Sequence, residues 1–382
     1  MFTTYLQKLR LFNRNVRLYI IAWALIGFGY LGIYTVLFNL YLLRLGYGPE
    51  FVGLVNGVGL FALALFSLPA GALGRRWGSR RMMIIGMILM TVGFGLIPLA
   101  EFIRINWQSS WLVGNWVLVG LGAPLFVVNG FPFLMGSTTP EERDHAFSVQ
   151  GALYPLAGFT GSLVGGFLPR FFSRTLGVPL DQPAPYRYPL FLVGVLCFIG
   201  ILVLLGTREV GVGQTQERVS KEGRAPFSLI ALMALVMLLR ATGEWTPNIF
   251  FNVYMDAGLH APTSLIGSLV AVGRLIGGVA ALAMPFVVKR WGKERTIGLG
   301  TMGVALSLLV LVLIPYWGAA GIGFVGAMAL VYLVNAAFNL YHQEIVSPGW
   351  RAVMSGATFM AMGLGFIHSR WWRLHDHSPW LP

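Results

Sequence analysis

One signature is written twice in this chain, each time between two apolar runs. Arg75-Arg76-Trp77-Gly78, with Arg80 and Arg81 just beyond, returns as Lys289-Arg290-Trp291-Gly292, with Lys293 and Arg295 just beyond. From position 75 to position 289 the offset is 214 residues, and flanking residues recur at nearly the same distance. Gly53 and Gly59 answer to Gly267 and Gly273, Phe38-Asn39-x-Tyr41 to Phe251-Asn252-x-Tyr254, and Pro140-x-x-Arg143 to Pro348-x-x-Arg351. Repetition at half-length in an apolar chain predicts two similar helical bundles.

Composition places those bundles in a membrane. The chain is 56% hydrophobic and 11% charged, whereas a soluble protein carries about 25% charged residues. Apolar runs fall at 18–43, 50–74, 82–100, 111–135, 147–169, 189–206, 227–255, 263–288, 296–315, 318–341 and 353–368. Runs of this length read as membrane helices. The expected fold class is an all-α polytopic membrane protein of two pseudo-symmetric bundles with 11 spans. A bundle over 1–206 is followed by a polar linker over 207–226, a second, incomplete bundle over 227–369 and a polar tail over 370–382. No twelfth run exists, and the tail ends in His, Trp and Pro residues, so loss of the last span by truncation or frameshift is the expectation. His368, His375, Asp376 and His377 on that tail are read as incidental to metal binding.

The net charge of +13 reports topology. With the N-terminus inside, 18 Lys and Arg fall on cytoplasmic segments and five, Arg44, Arg104, Arg170, Arg174 and Arg187, on outer loops. That asymmetry orients a membrane protein, and basic segments at the inner surface meet anionic lipid rather than nucleic acid. The expectation is a multi-pass protein of the cell (inner or plasma) membrane with a cytoplasmic N-terminus. The first run is too long for a signal peptide and no small-residue cleavage site follows it, which makes it an uncleaved span. A lone cysteine, Cys197, allows no internal disulfide. Neither a phosphate-cradling loop, a His-x-x-x-His pair nor a Gly-x-Ser-x-Gly nucleophile is present, so ATP drive, enzyme activity and cofactors are not expected.

Charged residues inside a bilayer cost roughly 2.5–3.5 kcal/mol on insertion scales and mark function by default. Three lie deep: Arg240 and Glu244 in the seventh run and Arg274 in the eighth. Arg240, Glu244, Asn248 and Asn252 recur every four residues and form one polar stripe. In one reading Arg240 and Glu244 pair within the helix as structural glue. In the other, Glu244 carries a proton or cation and the arginines receive an anionic group of a solute. Asn39, Asn335, Asn339 and His342 join them as softer candidates, with Thr35, Asn129, Gln150, Tyr154 and Tyr332; each of these serves equally well to tie helix to helix.

The stretch Gly71-Ala72-Leu73-Gly74-Arg75-Arg76-Trp77-Gly78-Ser79-Arg80-Arg81 resembles the loop signature of the major facilitator superfamily, Gly-x-Leu-x-Asp-Arg-x-Gly-x-Arg-Arg. The copy at Lys289, Arg290, Gly292 and Arg295 is similar to its weaker echo, and Thr139-Pro140-Glu141-Glu142-Arg143 to an inner loop of that family. The resemblance implies alternating access by a secondary transporter, with both loops acting as gate contacts. The family's acid is Arg75 here and Lys289 in the second copy, which puts its gate-pinning role in doubt. The arginine of proton-coupled exporters falls near Trp116, and Gly158, Gly161, Gly165 and Gly166 only loosely match the antiporter glycine motif. The function expected is movement of a small organic solute by a monomer, coupled to protons; the alternative is a non-transporting scaffold, sensor or inactive remnant.

Overall fold

The computed structural model describes residues 12–209, 226–261 and 263–375, apart from the side chains of 242–250, 252–253, 256–257, 263–264, 267 and 366–375. Among these residues every regular element is helical. The first bundle holds α1 (Arg14–Arg44), α2 (Pro49–Trp77), α3 (Ser79–Phe102), α4 (Ile105–Ser137), α5 (Pro140–Leu176) and α6 (Ala184–Leu205). The second holds α7 (Phe227–Val253), α8 (Thr263–Leu282), α9 (Met284–Trp291), α10 (Lys293–Leu313), α11 (Trp317–Glu344) and α12 (Arg351–His375). Each of the 11 apolar runs falls mainly on one of these helices, except the eighth, which is divided between α8 and α9. By length and hydropathy, eight helices among the described residues qualify as membrane crossings and the bent pair α8–α9 makes a ninth, against the 11 spans expected.

The repeated signature folds the same way twice. Gly78 (φ 93°) joins α2 to α3 and Gly292 (φ 77°) joins α9 to α10, each with no intervening loop. A side chain at such φ is strained, so glycine is what lets the two helices reverse there. The face carrying both hairpins, where α4 ends and α5 begins, is the basic face. Helix α5 opens on a capping box in which Thr139 and Glu142 exchange side-chain and backbone bonds, and it closes on Gly177 in the left-handed region.

Two departures from a plain row of spans have local causes. The eighth run, read as continuous over 263–288, bends by 50° between α8 and α9. Pro285 lacks the N–H that would bond the carbonyl of Ala281, and its ring crowds that carbonyl. The carbonyl is put to another use: the Ser148 hydroxyl of α5 donates to it at 2.8 Å. Inside α1, Gly27–Tyr34 winds as a π-helix, and it packs on α5 through glycines. A Cβ at Gly32 would stand 2.5 Å from the Gly161 Cα, and one at Gly161 would stand 2.2 Å from the Phe28 carbonyl oxygen. Gly158 and Gly165 also face α1, whereas nothing lies within 4 Å of a Cβ at Gly166. Of the four glycines compared with the antiporter motif, Gly158, Gly161 and Gly165 are therefore packing residues. Helix α12 also continues past the expected end at 368 to His375, since no Pro or Gly interrupts it there.

Aromatic rings fill the first bundle. Trp116, at the exporter-arginine position, stacks on Tyr34 (4.9 Å) and Phe38 (5.1 Å) and is buried against Gly59. That position is apolar core in this chain.

Candidate functional site

The bundles meet along α2–α12 and α5–α8, with α11 against α4 and α5. On α2, Gly71 faces the Ala352 carbonyl, and farther along the helix Ala64 meets Gly363 of α12. Gly356 of α12 fits against the backbone of Ser67 and Leu68. On α5, Ser148 holds the Ala281 carbonyl and Gly151 lies against Ala336. Each of these approaches lies within about 20 Å of the basic-face helix ends at 1.5 Å per residue. The basic-face half of the seam is closed.

Polar side chains cap this seam. Lys293, first residue of α10, bridges Asp144 of α5 at 3.6 Å and Glu344 of α11 at 2.6 Å. The Arg75 guanidinium stacks over the Trp350 ring, 3.6 Å from its centroid, just before α12 begins. The residue that replaces the family's acid thus makes a cation–π contact across the bundles. Arg80 stays within its own bundle: its side chain donates to Thr207 Oγ1 at 3.1 Å and the Leu205 carbonyl at 3.0 Å, while its amide donates to Glu209 at 3.1 Å. Burial pushes the Glu209 carboxyl up from its ordinary range, and bonds from the Arg80 and Arg81 amides draw it back. Arg76, Arg81, Lys289, Arg290, Gly292 and Arg295 are exposed or partly exposed at the basic face.

The contact at Trp350 carries a prediction. A cation–π pair is worth about 0.5–2 kcal/mol depending on desolvation. Trp350→Ala is therefore expected to shift the seam from closed toward open by roughly 2- to 30-fold. Spin-label distances across the basic face read this directly, and an unchanged distribution would make the stacking incidental.

Above the seam lies the second group of expected residues. Arg240 of α7 is buried; its Nη2 donates to Asn335 Oδ1 of α11 at 3.0 Å, and its guanidinium lies over Phe338, 4.7 Å from the ring centroid. Arg274 of α8 is half-buried and, among the described residues, makes no hydrogen bond or ion pair. Just along α8, Gly277 packs on Tyr332 of α11 and Gly278 on Leu156 of α5, two residues from Tyr154. Both bundles therefore contribute to one patch. Trp23 closes its side, with its ring 5.3 Å from Tyr154 and its indole N–H on the Gln150 carbonyl at 2.9 Å. Asn339 is half-buried one turn beyond Asn335. Asn39 lies apart, exposed toward the opposite face, where it accepts from Asn56 at 2.9 Å. Glu244, Asn248 and Asn252 are on α7, but their side chains lie outside those described.

Sequence reasoning passed over Asp144, Glu344, Trp350 and Glu209 as gate residues. A signal existed for Asp144, which directly follows the repeated Pro140-x-x-Arg143 phrase. Nothing in the sequence joins Arg75 to a tryptophan so far along the chain.

The profile of the Major Facilitator Superfamily matches residues 19–368. The chain belongs to this superfamily of membrane transporters. An uncharacterized MFS-type transporter of Mycobacterium tuberculosis is 27% identical over 378 residues, covering 93% of this chain and 82% of the relative. Multidrug resistance protein MdtH of Salmonella typhimurium is 22% identical over 343 residues, covering 89% and 78%. The proton:xylose symporter XylE bound to 6-bromo-6-deoxy-D-glucose superposes with a TM-score of 0.76 at 12% identity, over 95% of this chain and 88% of that one. FucP in its outward conformation gives 0.74 at 11%, over 93% and 90%. These superpositions show the superfamily fold, and the chain is a multi-pass membrane protein.

Proposed function

We propose that this superfamily member is a proton-coupled secondary transporter of a small organic solute that carries an anionic group. The carrying observation is Arg274: a half-buried intramembrane guanidinium, without a hydrogen-bonding partner among the described residues, one turn from where α8 packs on α5 and α11. A cation held at such depth is costly and is retained for a solute or ion pathway. Its position between the bundles lets an anion bound there contact both halves. Relatives named for multidrug resistance and a structural neighbour named for xylose favour small organic molecules, without choosing among them.

The excess of basic residues orients the basic face toward the cytoplasm of the cell that makes the protein. The closed seam then belongs to the outward-facing stage of the cycle. In this reading Glu244 carries the proton, one helical turn from Arg240 on α7. Glu244→Gln is expected to abolish uptake driven by an imposed pH gradient in right-side-out vesicles while leaving exchange down a solute gradient. Gradient-driven uptake at the unsubstituted rate would remove Glu244 from the coupling. Absence of flux for every carboxylated, phosphorylated and neutral compound in a panel, from folded protein, would favour a non-transporting role.

A further inference from the structure

His342 lies on α11 between the Arg240–Asn335 layer and the Lys293 bridge, and its side chain is fully buried. Its Nδ1 sits 2.9 Å from the Phe338 carbonyl oxygen. A carbonyl only accepts, so Nδ1 holds the proton and a neutral ring leaves Nε2 bare. That Nε2 has no hydrogen-bond partner among the described residues. The ring packs edge-to-face on Phe131 of α4, at 6.1 Å between centroids, and beside Phe338 at 5.6 Å. Phe131 belongs to the opposite bundle, so the imidazole is part of the seam.

Charged and titratable groups of the surrounding elements form a separate layer beneath it. Asp144, Lys293 and Glu344 are joined to one another, and Glu294 of α10 accepts from Tyr341 at 3.1 Å. Arg351 of α12 donates to the Gln343 carbonyl at 3.0 Å. Arg143 and His145, both partly buried, flank Asp144 on α5.

A proton arriving at Nε2 would place a charged donor against Phe131 with no acceptor among the described residues. A buried donor left unmade costs about 1–3 kcal/mol, more when charged. Water can reach Nε2 only when the bundles separate there. Closure and protonation therefore oppose each other, and whatever favours one state of the ring favours one state of the seam.

We propose that His342 is a proton-binding site of the basic-face seam, filled when the seam opens and emptied as it closes. The proposal rests on alternating access by this superfamily member but not on any solute, nor on Glu244. In physiological terms, acid would populate the open seam, because imidazole is the side chain whose ordinary titration falls in that range.

The test is a distance measurement that needs no solute. Spin labels are placed through Glu141→Cys and Trp291→Cys, both exposed at the basic face on opposite bundles, in a Cys197→Ser background reconstituted in lipid nanodiscs. Between about pH 8 and about pH 5.5, spanning the imidazole's titration, the long-distance fraction is expected to rise several-fold. His342→Gln should abolish that rise, and His342→Asn serves if the glutamine variant fails to insert. An equal rise in either variant, no rise in the parent, or loss of the rise in Asp144→Asn or Glu344→Gln but not at His342, would each overturn the proposal. A failure of solute flux with the pH-driven distance change intact would count against the proposed transport alone.

Discussion

Leucine at Gly71 is expected to hold the basic-face seam open and to abolish turnover while the protein still inserts and folds. A Cβ at Gly71 would stand 2.3 Å from the Ala352 carbonyl oxygen, 3.0 Å from its carbonyl carbon and 3.2 Å from the Val353 Cα. All three are backbone atoms, and they belong to the first turn of α12, so no rotamer change relieves the clash. Forcing extra atoms into a packed contact costs typically about 1–3 kcal/mol, and more where backbone must shift. Each bundle can escape that cost by separating from the other, because the clash lies between bundles. Separation is the open state. The same helix supplies its own control, since a Cβ at Gly53 or Gly57 meets nothing within 4 Å. Gly53→Leu should therefore leave both the closed seam and turnover intact. Spin-label distances between the basic-face ends of α2 and α12 check this. A closed distribution in Gly71→Leu would show that the bundles accommodate the side chain and that close approach of α2 to α12 does not set the seam.

The sequence made the frame legible because the frame follows from local chemistry. Long apolar runs became helices, and two glycines in a repeated phrase became two reversals at positive φ. What joins the halves was less legible, since it depends on partners far apart in the chain. Arg75 reads as the loss of an acid, yet it gains a ring at Trp350. Ser148 looks like any small residue of a span until Pro285 frees the carbonyl it takes. Lys293 reads as one more surface cation, whereas its amine sits between Asp144 and Glu344 of opposite bundles. Depth, in contrast, could be counted along a helix, which is why Arg240 and Arg274 were identifiable as intramembrane charges. That Asn335 would receive Arg240, rather than Asn39 joining them, is a matter of which helices pack together.

Arg274→Gln is expected to weaken binding of an anionic solute far more than any other single change in the central patch. Two glycines just along α8 fix this side chain's place: Gly277 lies against Tyr332 of α11, and Gly278 against Leu156 of α5. Bulk at either position would push α8 off its neighbours, so Arg274 is held about one turn beyond the point where the bundles touch. There the guanidinium can offer two parallel donors to a carboxylate or phosphate. Removing one partner of a desolvated charge pair costs about 2–5 kcal/mol, so affinity should fall roughly 30- to several-thousand-fold. Arg274→Lys keeps the charge and loses the planar fork, and it should fall between the parent and the glutamine variant. A neutral analogue of the same solute should bind parent and Arg274→Gln almost equally, which separates loss of a charge contact from general damage to the site. Tyr154→Phe, which removes one hydroxyl, should cost no more than about 1.5 kcal/mol. Equilibrium binding of the anion and its neutral analogue to all four proteins decides the matter. Equal loss for both ligands would make Arg274 a structural cation, and an unchanged affinity for the anion would move the binding site to another part of the patch.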